Sequence, residues 1–297
     1  MRVLVIGDLA VVIASHVGRL PEAGENFLLQ RPGIYASGVG ANLAWDLRGL
    51  GFEVEVASGV GGDPLGDFIL AELQQRGIGL SHVTRSADPT GMFVILVDRA
   101  GERTMIGFRG AAERFHLDPT VLEESTPDWI HVSGYTLLDP AMSDRCAELV
   151  LEAEARGIPC SVDLEGIAQS GRQTELDRLS VFCNLQEYRR YFGRDEVRPM
   201  ERSAPLVVKA REEGCFLVER GAVLACAAFP VTAVDSTGAG DAFNAGFIAA
   251  RLLGKDARQA SAWGNAAARI KVEHVGPRVA LSEAGLVRLL RGGASGH

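Results

Sequence analysis

Past Pro127 the chain settles into short, unbroken apolar runs separated by apolar stripes of helical spacing. Trp129 to Ser133, Ile158 to Leu164, Leu179 to Asn184 and Leu206 to Ala210 read as strands, while Met142, Cys146, Leu149, Val150 and Ala153 line one face of a helix. A strand that does not alternate polar with apolar residues has no face for water, so it must be covered on both sides. Such strands, interleaved with helices, spell βαβ units on a parallel sheet. Val3-Leu4-Val5-Ile6, closed by Gly7-Asp8, belongs to the same class of buried strand.

Other segments break this rhythm. From Ala10 to Tyr35 the pattern, with Pro21, Gly24, Pro32 and Gly33, suits short strands and loops. Met92 to Val97 and Arg103 to Phe108 read as a hairpin around Asp98-Arg99-Ala100-Gly101, and Cys215 to Glu219 with Ala222 to Ala227 as another around Arg220-Gly221. Leu43, Leu47 and Leu50 recur at helical spacing before Gly51, as do Ile69, Leu70 and Leu73 before Gly77. Between them Phe52, Val54 and Val56 alternate with glutamates, a half-solvated strand. Helices are expected over 242–253, 257–272 and 282–290, followed by a tail over 292–297. The expected architecture is α/β: a mostly parallel sheet flanked by helices, in one domain over 1–297. Segments about 10–35 and 90–108 form a small β lid over the edge where open α/β sheets bind ligands.

The formal net charge of −8 argues against a nucleic-acid-binding protein but not against an anionic nucleotide bound in a locally positive pocket. Five widely spaced cysteines suit reduced thiols. No apolar run approaches membrane-spanning length, and the N-terminus lacks signal-peptide flanks, so a cytoplasmic protein free of membrane and nucleic-acid partners is expected. The six histidines are scattered without metal-ligand spacing.

The chemistry concentrates in Val234-Asp235-Ser236-Thr237-Gly238-Ala239-Gly240-Asp241-Ala242-Phe243-Asn244-Ala245-Gly246-Phe247. Small residues at 238–240 let a ligand approach the backbone, and a helix begins at once. Free N–H groups and the positive end of the dipole make that start an anion site. Asp241 is either a cap for the helix or a base that takes a proton from an attacking hydroxyl. Likewise Asn42, after Gly38 and Gly40, could cap a helix behind a plain turn, and Asn184 with Glu187 could be a strand end and an exposed helix residue. Gly38-Val39-Gly40 is a poor dinucleotide fingerprint, because it does not follow the first strand.

The segment Asp-Ser-Thr-Gly-Ala-Gly-Asp-Ala-Phe resembles the C-terminal signature of the ribokinase-like (PfkB) carbohydrate kinases. The resemblance implies Asp241 as catalytic base, Gly238, Ala239 and Gly240 as the anion hole, and a monovalent cation such as K⁺ near Asp235, with Thr237 as a second candidate. Ser37-Gly38-Val39-Gly40-Ala41-Asn42-Leu43-Ala44 is similar to the N-terminal signature, which implies sugar contacts from Gly38, Gly40 and Asn42. Val60 to Gly66 matches a third motif. Asn184-Leu185-Gln186-Glu187 matches Asn-x-x-Glu, implying phosphate and water-mediated Mg²⁺ contacts. Lys209, Gly214 and Asn265 fall to the nucleotide by the same resemblance. Asp8 and the lid residue Arg109 are further candidates for the acceptor, although an ordinary surface role is open for Arg109.

Several positions depart from the pattern: Val12 where an Asp grips the sugar, Ser37 for the first Gly, Asp163-Leu164-Glu165 for Asp-x-Asn, and Arg211 for a nucleotide-loop Gly. The expectation is an ATP-dependent kinase, a phosphotransferase with an alcohol acceptor, acting on a small sugar or sugar-like molecule, and a homodimer through the lid. A nucleoside kinase of the same superfamily, or a non-catalytic binding or regulatory protein on this fold, are the alternatives.

Overall fold

The computed structural model describes residues 1–99, 103–170 and 176–293. Along the chain, β1 (Arg2–Ile6), β2 (Ala10–His16) and β3 (Gly33–Ser37) precede α1 (Val39–Gly49), then β4 (Glu53–Gly61), α2 (Pro64–Gln75), β5 (Gly79–Ser86), β6 (Thr90–Val97) and β7 (Arg103–Gly110). The second half runs α3 (Val121–Ser125), β8 (Trp129–Ser133), α4 (Pro140–Ala155), β9 (Cys160–Asp163), α5 (Ile167–Ser170), β10 (Ser180–Asn184), α6 (Leu185–Phe192) and β11 (Leu206–Lys209). It closes with β12 (Cys215–Glu219), β13 (Ala222–Cys226), α7 (Ala239–Leu252), α8 (Ala257–Val272) and α9 (Glu283–Gly293).

The large sheet has the order β13-β12-β11-β10-β9-β8-β1-β4-β5. It is parallel from β11 to β5 and antiparallel at the β11–β12 and β12–β13 pairings. The β12–β13 hairpin turns at Arg220 and Gly221, both with left-handed φ (51° and 71°), the geometry that matches the twist of flanking strands.

β1 shows why an unbroken apolar run is required. Val3 and Val5 point into a core shared with Leu43 and Leu47 of α1, Ile69 of α2, Phe247 of α7 and Trp263 of α8. Leu4 and Ile6 point the opposite way, toward Val121 of α3, Leu149 of α4 and Tyr188 of α6. With helices on both faces, period-2 side chains meet apolar partners on either side. β4 follows the sequence reading only at its start: it alternates at Glu53 to Glu55 and is buried from Val56 onward. β5 is an edge strand of mixed burial, without the run or clean alternation that marks the others.

β2, β3, β6 and β7 form a separate sheet in the order β3-β2-β6-β7. The expected β6–β7 pairing is present and antiparallel, while residues 100–102 of its turn lie outside the described residues. Val12, Ile95 and Val97 form a small core there, packed by Ala14 and Phe93. Of the expected C-terminal tail, 294–297 also lie outside the described residues. Among the described residues no helix is long and apolar enough to cross a membrane.

Candidate active site

The site gathers where β1, β8, β9, β10 and β11 end. Gly7 and Asp8 follow β1, and the start of α1 lies directly on them. Gly40 N donates to Asp8 O at 3.0 Å. A Cβ at Gly38 (φ 96°) would collide with Asp8 O, and one at Gly40 would stand 2.7 Å from Gly7 O. Both glycines are therefore required by the close approach of the two backbones.

Gly38, and not Asn42, is the N-cap of α1. Asn42 lies inside the helix, buried, and its amide is held from both ends: Ser37 Oγ donates to Asn42 Oδ1 at 3.0 Å, and Asn42 Nδ2 donates to Asp241 Oδ2 at 2.8 Å. The serine that departs from the family glycine thus orients the amide.

Asp241 is not a helix cap either. The N-cap of α7 is Gly238, in a left-handed conformation (φ 78°) where a Cβ would strike Pro277 O. Ala239 N already donates to Ser236 O at 3.1 Å. No backbone acceptor among the described residues takes the N–H of Gly238, Gly240 or Asp241, so the amides of this helix start remain open to an anion. Burial pushes the Asp241 carboxyl up to about 7, against the hydrogen bond from Asn42; Asp163 adds to the rise, and Lys209 and Arg103 oppose it. A carboxyl in that range is poised to exchange a proton near neutral pH.

A second charged group adjoins the cradle. Lys209, ending β11, donates to Asp163 Oδ2 at 2.5 Å and to Asn244 Oδ1 at 3.4 Å. Asn244 Nδ2 donates to the same Asp163 oxygen at 2.7 Å. A Cβ on Gly240 would lie 3.4 Å from Lys209 Nζ, which puts the ammonium beside the glycine-rich turn. Burial pulls the Lys209 pKa down, but Asp163, Glu187 and Glu165 outweigh it and hold it above the ordinary lysine value.

Glu165, with left-handed φ (35°), accepts from Ser133 Oγ at 2.5 Å. Glu187 and Asn184 form a reciprocal capping box at the start of α6. Burial raises both glutamates, and Asp163 raises them further. Mutually repelling carboxylates of this kind gain from a cation among them. Among the described residues no group of three or more ligands could cage a metal alone. Glu187, Asp163 and Asn184 therefore fit Mg²⁺ that is held mainly by phosphates and water.

Gly214 (φ 94°) would clash with Cys226 O if it carried a side chain. Asn265, buried, donates to Cys226 O at 2.9 Å and Ala227 O at 3.1 Å and so ties down the chain after β13. Arg211 has the left-handed backbone (φ 52°) that explains a glycine there in relatives, and it is exposed.

Arg109 from β7 is not a surface residue. Its guanidinium grips Asp8 through Nε (2.6 Å) and Nη2 (2.8 Å), also meets Ala112 O at 3.3 Å, and lies 5.7 Å from the centre of the Tyr135 ring. The pair is largely buried, with side-chain exposures of 14% and 6%. Burial raises the Asp8 pKa, and Arg109 pulls against it. Val12, at the departure from the family pattern, is buried in the small sheet's own core.

Around Asp235 the carboxylate is consumed locally, accepting from Thr237 N at 2.8 Å and Gly276 N at 2.8 Å. Its peptide oxygen receives Lys271 Nζ at 3.2 Å, and the same ammonium donates to His274 O at 3.0 Å. This arrangement does not fit a free monovalent cation, because a positive group already holds the oxygen atoms.

Lys209 came into the sequence reading only through the resemblance. Asp163 and Glu165 entered it as site candidates only through a departure, and Asn244, Ser133, Arg103, Asp46 and Lys271 were not read as site residues. None of these sits in a spacing that signals a site.

The fold and site together define a phosphotransferase with a hydroxyl acceptor. Residues 1–284 match the pfkB family carbohydrate kinase model, and the chain belongs to that family. It is similar to a fructokinase from Klebsiella pneumoniae, 32% identical over 268 residues (84% of this chain and 83% of the relative). An uncharacterized sugar kinase from Archaeoglobus fulgidus is 27% identical over 245 residues, 79% of this chain and 97% of that one. Among solved structures, ribokinase from Thermotoga maritima matches with a TM-score of 0.80 at 24% identity, covering 97% of this chain and 99% of that chain. The family implies ATP-dependent phosphorylation of a sugar.

Proposed function

We propose that this kinase transfers the γ-phosphate of ATP to a hydroxyl of a small sugar or sugar-like acceptor, with Asp241 as general base. The observation that carries the reading is the 2.8 Å hydrogen bond between Asn42 and Asp241, which places a carboxylate between the glycine loop of α1 and the open amides of α7. The acceptor lies between Gly38, Gly40, Asn42 and the small sheet, which acts as a lid. Asp8 and Arg109 join the lid to the end of β1 at this point.

Asp241 removes the hydroxyl proton as the oxygen attacks the γ-phosphorus. The new O–P bond forms as the bond to the bridging β–γ oxygen breaks, and ADP carries away that electron pair. The open amides of Gly238, Gly240 and Asp241, with Lys209 beside them, receive the charge on the group in flight. Asn184, Glu187 and Asp163 hold Mg²⁺ through water, and the ion supplies charge neutralisation on the phosphates. Gly214 and Asn265 shape the nucleotide end. Closure of the small sheet excludes water that would otherwise hydrolyse ATP.

The exposed apolar residues Ile34, Met105, Ile106 and Phe108 of the small sheet support a homodimer formed through it. The free cysteines and the ATP requirement support a cytoplasmic setting.

The test is acceptor-dependent ADP release with Mg-ATP across sugars, sugar acids and nucleosides. A sugar or sugar acid that raises release well above the ATP-only rate supports the reading. Preference for a nucleoside moves it to the other branch of the superfamily. Stabilisation by ATP without transfer to any acceptor overturns it in favour of a binding protein.

A further inference from the structure

Lysine is among the residues least often buried completely, because its ammonium is strongly hydrated. Lys271, in the last turn of α8, is 0% exposed. Its ammonium points inward to the peptide oxygens of Asp235 and His274. These belong to the two segments that support the glycine-rich turn. Val234 N and Asp235 N donate to Val272 O at the end of α8 (2.7 and 3.2 Å), Gly276 N donates to the Asp235 carboxylate, and Pro277 O lies against Gly238. Lys271 therefore ties the loop before Asp241 to the turn beneath it.

A second buried titratable group lies in the same neighbourhood. Asp46, on α1 one helical turn past Asn42, is 0% exposed, and neither carboxylate oxygen has a hydrogen-bond partner. Its surroundings hold three cations, Lys271, Arg76 and Arg278, and the Asp241 carboxylate. Burial pulls the Lys271 pKa below the ordinary lysine value, while the carboxylates of Asp235, Asp46 and Asp241 work against that pull. Burial, with Asp241 adding to it, raises the Asp46 pKa well above the ordinary carboxylate value against the pull of the three cations, so Asp46 favours its uncharged form and the two peptide oxygens are what hold the Lys271 ammonium.

We propose that the Lys271 ammonium, held by the peptide oxygens of Asp235 and His274, is a built-in replacement for a monovalent cation behind the anion cradle, and that this kinase consequently turns over without K⁺. The inference rests on the reading of the 238–240 turn as an anion hole. Lys271 does not touch the transferring group. It is a positioning residue, which fixes the loop and places one positive charge beneath it. A dehydrated K⁺ would need the oxygen atoms that the ammonium already holds.

The experiment compares KCl with choline chloride at equal ionic strength, for wild type and for the variant Asp46→Ala/Lys271→Ala. That variant removes the buried ammonium and the acid near it and opens space. Wild-type turnover and Tm should be the same in the two salts. The variant should lose about 10²-fold in kcat in choline chloride, on the scale of one anion-hole contact, and recover much of it in KCl. Its Tm should rise with KCl while that of wild type does not.

Wild-type activation by K⁺ of more than about tenfold, or a K⁺-dependent rise in wild-type Tm, overturns the proposal. So does a variant as active in choline chloride as wild type. The wild-type arms need no substitution, so a variant that fails to fold leaves the test intact. The Tm arms need no turnover, so they stand even if no acceptor is found and the kinase reading itself fails.

Discussion

The Asn42 amide nitrogen and the Asp241 carboxylate lie 2.8 Å apart although 199 residues separate them in the chain. Ser37 fixes the amide from its other end. The bond works against the burial that pushes Asp241 up to about 7. Asn42→Ala removes this restraint, so the Asp241 pKa should rise further. The acid limb of the kcat/KM profile should then move to higher pH, with the largest loss of activity below neutrality. A pH–rate profile identical to wild type would separate Asn42 from the base.

The wild-type profile follows from the same carboxyl. The base works only when deprotonated, so kcat/KM should fall about tenfold per pH unit below a midpoint near 7 and level off above it. Steady-state rates between about pH 5.5 and 8.5 cover this window. A flat profile across it, with the protein folded throughout, would contradict the assignment.

Gly238→Ala tests the cradle. The position is left-handed (φ 78°), and a Cβ would meet Pro277 O. The turn must shift, and the open amides move with it. A fall in kcat of about 10²–10³-fold is expected, with stability reduced by about 1–3 kcal/mol. Rate measurements paired with urea unfolding separate the two effects.

Arg109→Met leaves the Asp8 carboxylate, 6% exposed, without its partner. Breaking one side of a buried pair costs about 3–5 kcal/mol, and the solvent reaching Arg109 places this pair at the lower end, about 3 kcal/mol. The double variant Asp8→Asn/Arg109→Met should recover most of that stability but not the acceptor KM, because both groups belong to the proposed acceptor site. Urea midpoints and KM values report the two outcomes.

The sheet was readable because its central strands are buried on both faces: Val3 to Ile6 could be nothing else once Leu4 and Ile6 needed cover as much as Val3 and Val5 did. β5 was not read, since an edge strand of mixed burial carries neither unbroken nor alternating apolarity. The glycines and Asp241 were legible as a local pattern. Their partners were not: Asp163, Lys209 and Asn244 come from β9, β11 and α7 and meet only when the strands align in register. The capping roles first open to Asn42 and Asp241 fail for one reason, that Gly38 and Gly238 already occupy the N-cap positions. Lys271 and Asp46 look like ordinary polar positions on amphipathic helices, and only the folded structure reveals both as buried.

The most direct measurement is the turnover of Asp241→Asn on whichever acceptor the screen identifies, alongside its thermal shift with Mg-ATP. The substitution keeps the shape and removes the base. A kcat reduced by about 10²–10⁴-fold, with ATP still stabilising the protein as it does wild type, is the predicted result. Retention of more than about a tenth of wild-type turnover would contradict Asp241 as the general base, and with it the account of how this site transfers a phosphate.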